Sequence, residues 1–383
     1  MKGMELARGY FEEFGKPMLE SEFKELLPYL AAGFVGSGSE RFGFDDEISR
    51  DHDFEPGFRI FLPGEDVLDR RKEFLLERAY ARLPKEYKGV RRQLLAPVGG
   101  ERNGVIRTAD FYRLAVGSSS GELSTEAWLS IPDAALAEAV NGEVFFDNYG
   151  EFTGIRQQLQ NMPEDIRLKR LAGNLLIMAQ SGQYNYLRCL KHGEPEAAQL
   201  ACGEFVNAAM KVYFLLNRKY MPYYKWSFRA LRALPGGRET AGKLRYLLLG
   251  NYGEHFPDRT MPGQPQYDNE SGTTGKLISH TNAPEDKKDV LNKNVKEMNG
   301  NQNGPNGDVK DTNENFNELY GRQKVIEREK SCLIEEISSD IIGKLKDQGL
   351  TGTVCGDLEK HAYSVNDHIE NGEIRNMHIL TAI

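Results

Sequence analysis

The sequence predicts an α+β protein in which a mixed β-sheet with helices is followed by an α-helical bundle. Three observations support this fold class. Short extended segments alternate with helical periodicity up to about Met162, long amphipathic helical patterns follow from Pro163, and a polar, Asn-rich tract interrupts the helical part. The chain has 383 residues, which is enough for two or three domains with cores of their own.

Residues 1–162 are predicted to form the sheet domain. A helix covers much of ELARGYFEEFGKPMLESEFKELLPYL, and a strand follows at AAGFVG. A second strand lies within RDHDFEPGFRIFL, where Pro56 and Gly57 indicate a bulge or a sheet edge. The remaining segments are predicted as a helix at EDVLDRRKEFLLERAYARL, extended chain at RRQLLAPV and GVIRT, a helix around PDAALAEAV, and a last strand at EVFFD.

Residues 163–255 are predicted to form the helical bundle. Two long amphipathic patterns, separated by Gly193 and Pro195, predict an antiparallel helix pair. Residues 256–315 contain NGNQNGPNGDVKDTNENFNE, which has too few apolar residues to offset the entropy of ordering, and they are predicted to be a disordered insertion. Residues 316–383 are predicted to be C-terminal helices that complete the bundle.

Charge and composition exclude some classes of protein. The formal net charge of -8 argues against general nucleic-acid binding, which needs a basic surface. The N-terminus carries acids where a secretory signal needs an apolar core, and no run approaches the roughly 18 apolar residues of a membrane span. We therefore expect a cytoplasmic protein without a membrane partner, whose four dispersed cysteines are reduced.

The stretch GSGSERFGFDDEISRDHDF carries the main functional prediction. Side chains two apart on a strand share a face, so Asp51 and Asp53 would project together and bind Mg²⁺. Upstream, Gly36 to Ser39 would form a tight turn whose backbone N–H groups hold phosphate oxygens, helped by the Ser39 hydroxyl. Phosphate binding and charge neutralisation together are typical of phosphoryl or nucleotidyl transfer.

An alternative interpretation needs no ligand. In it, a Gly/Ser turn precedes a solvated acidic loop, and Asp45, Asp46, Glu47 and Glu55 only add surface charge.

The same residues resemble a known motif. Gly38-Ser39, an eleven-residue spacer and Asp51-His52-Asp53 resemble the G-S, spacer, D-x-D motif of the polymerase-β-like nucleotidyltransferase superfamily. The wider stretch GFVGSGSERFGFDDEISRDHDF, with segments such as SGQYNYLRCLKHGEPEAA and HAYSVNDHIENGEIRNMHI, resembles a bacterial nucleotidyltransferase-like family of unknown function. The likeness covers most of the chain outside the Asn-rich insertion.

The resemblance implies a nucleotidyltransferase-like sheet domain with a metal site. Gly38 and Ser39 match the pair that holds the phosphates of a nucleoside triphosphate, and Asp51 and Asp53 match the catalytic, metal-binding acids. The superfamily often uses a third carboxylate on a later strand. The strand expected to carry it, GVIRT, has no acid, and neither Asp110 nor Glu143 and Asp147, at the ends of EVFFD, has the expected placement.

The helical part resembles the substrate-side bundle of small-molecule nucleotidyltransferases. Within Tyr220 to Arg229, Lys225 is a candidate for contact with a phosphate or an acidic substrate, and Tyr184, Asn185 and Arg188 raise the same question. Helix packing with solvated cations is the commoner explanation of such segments, and it is preferred for both. The C-terminal His361, His368 and His378 lack the spacing of a zinc set, which indicates capping or surface roles.

Three functions remain open from the sequence. The first is metal-dependent transfer of a nucleoside monophosphate from a nucleoside triphosphate to an unidentified acceptor. The second is a catalytically inactive nucleotide-binding or sensor protein of the same fold, which the missing third acid favours. The third is a helical nuclease-type module fused to a degenerate transferase. The usual signature of such a module, Arg and His with four to six residues between them, is not met by Arg188 with His192 or by Arg375 with His378.

Overall fold

The computed structural model describes residues 1–48, 54–92, 102–250 and 310–383, with the backbone alone over 310–323. Met1–Tyr252 and Arg328–Ile383 belong to one compact unit, and Gly253–Glu327 belong to a second. All packing described below lies within the first unit.

A mixed sheet forms the N-terminal half of this unit. Its strands are β1 (Ala31–Phe34), β2 (Arg59–Leu62), β5 (Gly104–Arg107) and β6 (Glu143–Asp147). A separate hairpin consists of β3 (Glu86–Tyr87) and β4 (Val90–Arg91). The four-stranded sheet has the order β5-β2-β1-β6. Strand β1 is antiparallel to both β2 and β6, whereas β2 and β5 are parallel. The predicted strands at AAGFVG, GVIRT and EVFFD are thus present, and within the described part of RDHDFEPGFRIFL, residues 54–62, the strand comprises Arg59–Leu62.

The first predicted helix is divided by a wider π-helical turn. Helix α1 (Gly3–Tyr10) leads into the π-turn Phe11–Gly15, and α2 (Lys16–Glu22) follows. A Cβ on Gly15 would lie 2.4 Å from Cζ of Phe58, so glycine permits the helix to approach the sheet this closely. Apolar residues of these helices and of the covered sheet face form one core cluster, which includes Leu6, Tyr10, Phe11, Phe58, Ile60 and Leu62.

The opposite face of the sheet is covered by short helices and by the bundle. These helices are α4 (Thr108–Val116), α5 (Thr125–Ser130), α6 (Asp133–Ala139) and α7 (Glu151–Gln160), whereas α3 (Arg70–Arg82) packs on the first face, because its Leu76, Ala79 and Tyr80 belong to the first core cluster. Phe61 of β2 packs on Phe111 of α4 and on Phe152 of α7, with ring centroids 5.4 and 4.1 Å apart. These three rings belong to a second core cluster, which continues into Leu171 and Leu175 of the bundle. The sheet and the bundle therefore share a hydrophobic core.

The bundle comprises the remaining helices. They are α8 (Glu164–Met178), the π-turn Ala179–Tyr186, α9 (Leu187–Lys191), α10 (Pro195–Leu216), α11 (Tyr224–Arg232), α12 (Gly237–Leu249), α13 (Lys310–Asp347), α14 (Leu358–Asp367) and α15 (Gly372–Asn376). Arg167, near the start of α8, donates to the carbonyl of Leu215 at the end of α10 (3.3 Å), which makes this pair antiparallel as predicted.

The C-terminal residues pack directly on α8. Lys169 has 0% exposure, and its ammonium group donates to Asn366 Oδ1 and to the carbonyl of Met377 at 2.9 and 2.6 Å. Burial lowers the pKa of this lysine. These bonds satisfy a buried charge that would otherwise be costly, and they fix the chain end against the bundle.

The mixed sheet and the helices that follow it agree with the predicted α+β class. Most of the predicted insertion, residues 256–309, lies outside the described residues, and α13 begins at Lys310, ahead of the expected boundary at residue 315. Among the helices that the structure describes, none is both long and apolar enough to cross a membrane.

Candidate functional site

The Gly36–Ser39 segment forms a turn directly after β1. Gly36 and Gly38 have φ values of +102° and +125°, which side-chain-bearing residues rarely adopt. The side chain of Asn141, just before β6, accepts from Gly36 N at 2.8 Å and donates to Gly36 O at 2.7 Å. A single amide therefore fixes both backbone groups where the turn begins.

A buried ion pair lies against the second glycine of the turn. A Cβ on Gly38 would lie 2.2 Å from Oε1 of Glu40, so the Glu40 carboxylate occupies the space that a side chain would need. Glu40 pairs with the guanidinium of Arg41, and the Ser39 hydroxyl lies 3.5 Å from Oε2 of Glu40. Gly38 and Ser39 thus lie together at this turn, beside a carboxylate that is already neutralised.

Arg41 connects the turn to the loop before β5. Its guanidinium donates to Ser37 O at 2.9 Å, to Arg102 O at 2.9 Å and to Asn103 Oδ1 at 3.1 Å. It also lies 4.2 Å from the centre of the Phe34 ring. The side chain is 3% exposed, and burial lowers its pKa while Glu40 opposes that shift. Arg41 is therefore part of the framework of the turn.

The chain that enters β2 reaches the same edge of the sheet. Asn103 Nδ2 donates to Glu55 Oε1 at 2.9 Å. Glu40 and Phe54 both approach Gly3, because a Cβ added to Gly3 would lie 2.4 Å from Cβ of Glu40 and 3.4 Å from the Phe54 ring. Phe54 is the first described residue after the gap at 49–53. The predicted metal ligands Asp51 and Asp53 fall in that gap and lie outside the described residues.

Two acids of the preceding loop have specific partners. Asp45 is 1% exposed, and its Oδ2 accepts from Gly3 N at the start of α1 (3.0 Å). Asp46 forms an ion pair of 3.4 Å with Arg229 of α11. The interpretation of this loop as solvated surface charge is therefore wrong for Asp45, because that carboxylate is buried at a helix start where partial positive charge favours it.

The acids considered for a third carboxylate are all engaged. Asp110 pairs with Arg113 on the surface, and Asp147 accepts from Gly150 N and Thr153 N at 2.8 and 2.7 Å at the start of α7. Glu143 pairs with Phe34 in the sheet register, which places it at the edge where the turn begins, and Arg8 binds its carboxylate.

Glu138 is a further acid near the turn that the sequence analysis did not single out. It lies on α6, three residues before Asn141, and is half-buried. Burial raises its pKa, and the charges of Arg102 and Arg41 act in the opposite direction. Nothing in PDAALAEAV marks Glu138 in advance, because the arginines that act on it, Arg102 and Arg41, lie 36 and 97 positions earlier in the chain.

Helix α11 contacts the loop that follows the turn. The rings of Trp226 and Phe44 are 5.9 Å apart, and the Arg229 guanidinium lies 4.9 Å from the centre of the Trp226 ring. The exposed Lys225 places its ammonium group 5.1 Å from the same ring. The structure therefore brings the segment of Lys225 to the loop of Phe44, although Lys225 itself makes no ion pair with a described residue.

The other polar candidates lie elsewhere or have structural roles. Tyr184 and Asn185 line a cavity beside α13, and Arg188 donates to the Tyr184 hydroxyl at 2.8 Å. His361 is fully buried between Thr351 Oγ1 and the carbonyl of Cys355, at 2.9 and 3.0 Å. His361 thus holds the loop before α14, so the predicted surface role is wrong for this histidine, because its ring is fully buried.

A family model described as Domain of unknown function (DUF4037) matches residues 128–227. The matched stretch begins in α5 and ends in α11, so it includes Glu138, Asn141 and Lys225 but not the Gly36–Ser39 turn. This part of the chain is similar to a family of unknown function. Neither the curated proteins nor the solved structures gave a match.

Proposed function

We propose that the protein transfers a nucleoside monophosphate from a nucleoside triphosphate to an unidentified acceptor, in a reaction that depends on Mg²⁺. In this proposal Gly38 and Ser39 hold the phosphates and Asp51 and Asp53 bind the metal.

One observation carries the proposal: the pairing of β1 with β2. Gly33 of β1 is the register partner of Arg59 of β2, and the strands are antiparallel. The turn that follows β1 and the chain that enters β2 therefore meet at one edge of the sheet. The G-S pair lies in this turn, and the D-x-D segment, outside the described residues, ends six positions before Arg59 in the chain; in the proposal the two meet here, as in the strand, turn, strand arrangement of the resemblance.

The two acids of the D-H-D segment suit a divalent cation by their chemistry. Two carboxylates two residues apart are ligands that Mg²⁺ accepts, together with water and phosphate oxygens. The described acids nearby are occupied, because Glu40 pairs with Arg41, Asp46 with Arg229 and Glu143 with Arg8. Asp51 and Asp53 would hold the ion, which supplies charge neutralisation on the phosphates when bound.

The proposed reaction balances without any further reactant. An acceptor hydroxyl oxygen forms a bond to the α-phosphorus, and the bond between that phosphorus and the bridging oxygen of pyrophosphate breaks. The hydroxyl proton passes to a base or to water. The backbone N–H groups of the turn and the Ser39 hydroxyl hold the phosphates, and Asn141 keeps the turn in place.

An inactive nucleotide-binding protein of the same fold is the second candidate. The observation that favours it is the state of the remaining acids: β5 carries none, and Asp110, Glu143 and Asp147 are all bound to arginines or to backbone amides. Binding would then persist without turnover.

Calorimetric titration of each nucleoside triphosphate, with and without Mg²⁺, tests the proposal. We expect Mg²⁺-dependent binding by the wild type and its loss in the Asp51→Asn, Asp53→Asn double variant, with little change in Tm because paired like charges are removed. The control is the Asp347→Asn, Asp367→Asn variant, which removes the same charge from exposed helix ends. Absence of binding to every triphosphate contradicts the proposal.

Pyrophosphate release then separates the two candidates. Release that depends on a supplied acceptor supports transfer. Binding without any release, across a panel of hydroxyl-bearing small molecules, proteins and RNA, supports the inactive binding protein. A double variant that unfolds while its residual folded fraction binds normally would show that both acids are structural.

A further inference from the structure

A basic surface is formed by α3 and by the hairpin of β3 and β4. Residues 70–92 contain nine lysines and arginines and three glutamates, which gives them a net charge of +6. Since the whole chain carries -8, the other residues carry -14. The net charge argues against nucleic-acid binding over the whole protein, but the positive charge that such binding needs is concentrated on this one surface. None of its residues belongs to the proposed nucleotide site.

The exposed side of α3 carries an arginine stripe, which consists of Arg71, Arg78 and Arg82. These residues are seven and four positions apart, so they lie on one face of the helix over a length of roughly 16 Å. Phe74 lies beside the stripe and is 55% exposed, and the Arg78 guanidinium is 5.8 Å from the centre of its ring. The stripe thus combines extended positive charge with an exposed aromatic ring.

The opposite side of α3 is fixed to the sheet. Glu73 pairs with Arg107 of β5 at 2.6 Å. The Tyr80 hydroxyl donates to Phe58 O at 2.8 Å and accepts from Phe58 N at 3.0 Å. Leu76 packs in the core beneath the helix. The arginine stripe therefore has a rigid support, and it faces solvent because the apolar side of α3 is used for packing.

Much of the positive charge on this surface is not neutralised. Among the described residues, Arg71, Arg78 and Lys88 have no ion-pair partner. Three further arginines pair only with exposed glutamates, and such contacts contribute little. Burial lowers the pKa of Lys85, and the charge of Arg92 lowers it further. A bound anion would relieve this repulsion between cations.

Lys88 lies at the tip of the hairpin in a backbone conformation that is unusual for lysine. Its φ is +48° and that of Gly89 is +79°. Two-residue hairpin turns with two positive φ values strongly favour asparagine, aspartate or glycine at the first position. Lys88 is exposed, and its ammonium group lies 5.1 Å from the centre of the Tyr87 ring. An exposed cation that is kept at a strained position favours a role in binding.

The arrangement of charge favours a long anion over other partners. A small anion would contact one arginine of the stripe, whereas a phosphodiester chain can contact several in succession. A membrane surface fits poorly, because Phe74 and Leu75 are the only large apolar side chains that α3 exposes. A protein partner would need more apolar surface for the core of its interface.

We propose that this surface binds single-stranded RNA. The arginine stripe and Lys88 contact phosphates along the strand, and an unpaired base stacks on Phe74. Single strands in cells are mostly RNA, because DNA is mostly paired. This binding does not depend on the nucleotide site.

The test is fluorescence anisotropy of a labelled single-stranded RNA of about 12 nucleotides, titrated with the full-length protein in the absence of nucleotide. We expect saturable binding that weakens with salt. Arg71→Gln, Arg78→Gln should bind about ten-fold or more weakly, and its slope of log K against log salt should be smaller by about 1.4, because two phosphate contacts are lost. Phe74→Ala should bind roughly five-fold or more weakly with an unchanged slope, because it removes only stacking.

A matched variant separates this surface from total charge. Lys191→Gln, Lys360→Gln removes two exposed cations from other helices and should leave the affinity and the slope unchanged. Equal weakening in the two double variants, or no binding by the wild type, would overturn the proposal. Tighter binding to the duplex form of the same RNA would also overturn it, because paired bases cannot stack on Phe74. Binding to phosphatidylserine vesicles without binding to RNA would identify a membrane as the partner instead. Matching Tm values for all variants exclude loss of fold as the cause.

Discussion

The guanidinium of Arg229 on α11 donates to the carbonyl oxygen of Phe44, in the loop that connects the Gly36–Ser39 turn to the D-H-D segment. The same guanidinium pairs with Asp46 at 3.4 Å. One side chain of the bundle thus holds both the backbone and an acid of a loop that belongs to the sheet half of the protein.

Replacement of Arg229 tests whether this contact supports the proposed site. In Arg229→Ala, we expect faster hydrogen exchange at residues 43–46 and several-fold weaker Mg²⁺-dependent triphosphate binding. Arg229→Lys keeps the charge but loses the guanidinium that bonds Phe44 O and Asp46 at once. We therefore expect exchange rates and triphosphate affinity between those of the wild type and the alanine variant. Unchanged exchange in the alanine variant would show that the loop is held by other contacts.

Replacement of Gly38 should be more disruptive than replacement of Gly43. Both have positive φ, but a Cβ on Gly38 meets the Glu40 carboxylate, whereas one on Gly43 has nothing within 4 Å. We expect Gly43→Ala to lower the free energy of unfolding by about 1–2 kcal/mol through backbone strain. Gly38→Ala should cost roughly 2–4 kcal/mol, because it also displaces a buried ion pair. Denaturant titrations measure both, and equal losses would contradict the role assigned to Glu40.

The raised pKa of Glu138 predicts that its ionised carboxylate lowers the free energy of unfolding at neutral pH. A carboxyl group whose pKa is higher in the folded state favours folding when protonated, so its contribution is present below the usual pKa and is lost as pH rises through the folded value. Glu138→Gln should therefore unfold at a Tm equal to or above that of the wild type at pH 7. The difference should vanish near pH 4. Thermal unfolding of both proteins between pH 4 and pH 7 measures this difference in Tm. A variant that is less stable than the wild type at neutral pH would show that the folded state favours the ionised carboxylate.

Much of this arrangement can be derived from the sequence, but the contacts around the turn cannot. The strands at AAGFVG, GVIRT and EVFFD follow from short apolar runs, and α8 and α10 follow from long periodic patterns. Helices α4, α5 and α7 have only 9, 6 and 10 residues, too few turns for periodicity to be distinctive. The π-turns depend on packing against Phe58 and Phe205, which lie far away in the chain.

The contacts that hold the Gly36–Ser39 turn cannot be predicted from local sequence either. Asn141 binds Gly36 across 105 positions, and Arg41 reaches Arg102 and Asn103 across about sixty. Such partners have no local pattern, because the sheet order brings them together. The burial of Asp45 likewise depends on where α1 begins.

Lys243 neutralises a group of three acids on α12 and α13. Its ammonium group lies 3.0, 2.8 and 2.7 Å from oxygens of Glu239, Glu336 and Asp340. Burial acts to lower its pKa, but the hydrogen bonds to these acids outweigh burial and raise it. In Lys243→Met, we expect a lower Tm, because the acids then repel one another.

Added Ca²⁺ provides the second measurement on this cluster. It should raise the Tm of Lys243→Met, since the three oxygens lie within 4.8 Å of one another, and it should leave the wild type and Lys243→Arg unchanged. A calcium effect of equal size in all three proteins would contradict this prediction.

The bonds of Lys169 to the chain end have a consequence for synthesis. Lys169 and Asn366 are 197 positions apart, so α8 emerges from the ribosome long before the residues that satisfy its buried ammonium group. At about 5–20 residues per second, that interval is roughly 10–40 s. During it, the apolar face that α14 will cover stays exposed to other nascent chains. The bundle is thus completed only after Asn366 and Met377 have been synthesised, and the face that α14 covers has to be protected until then.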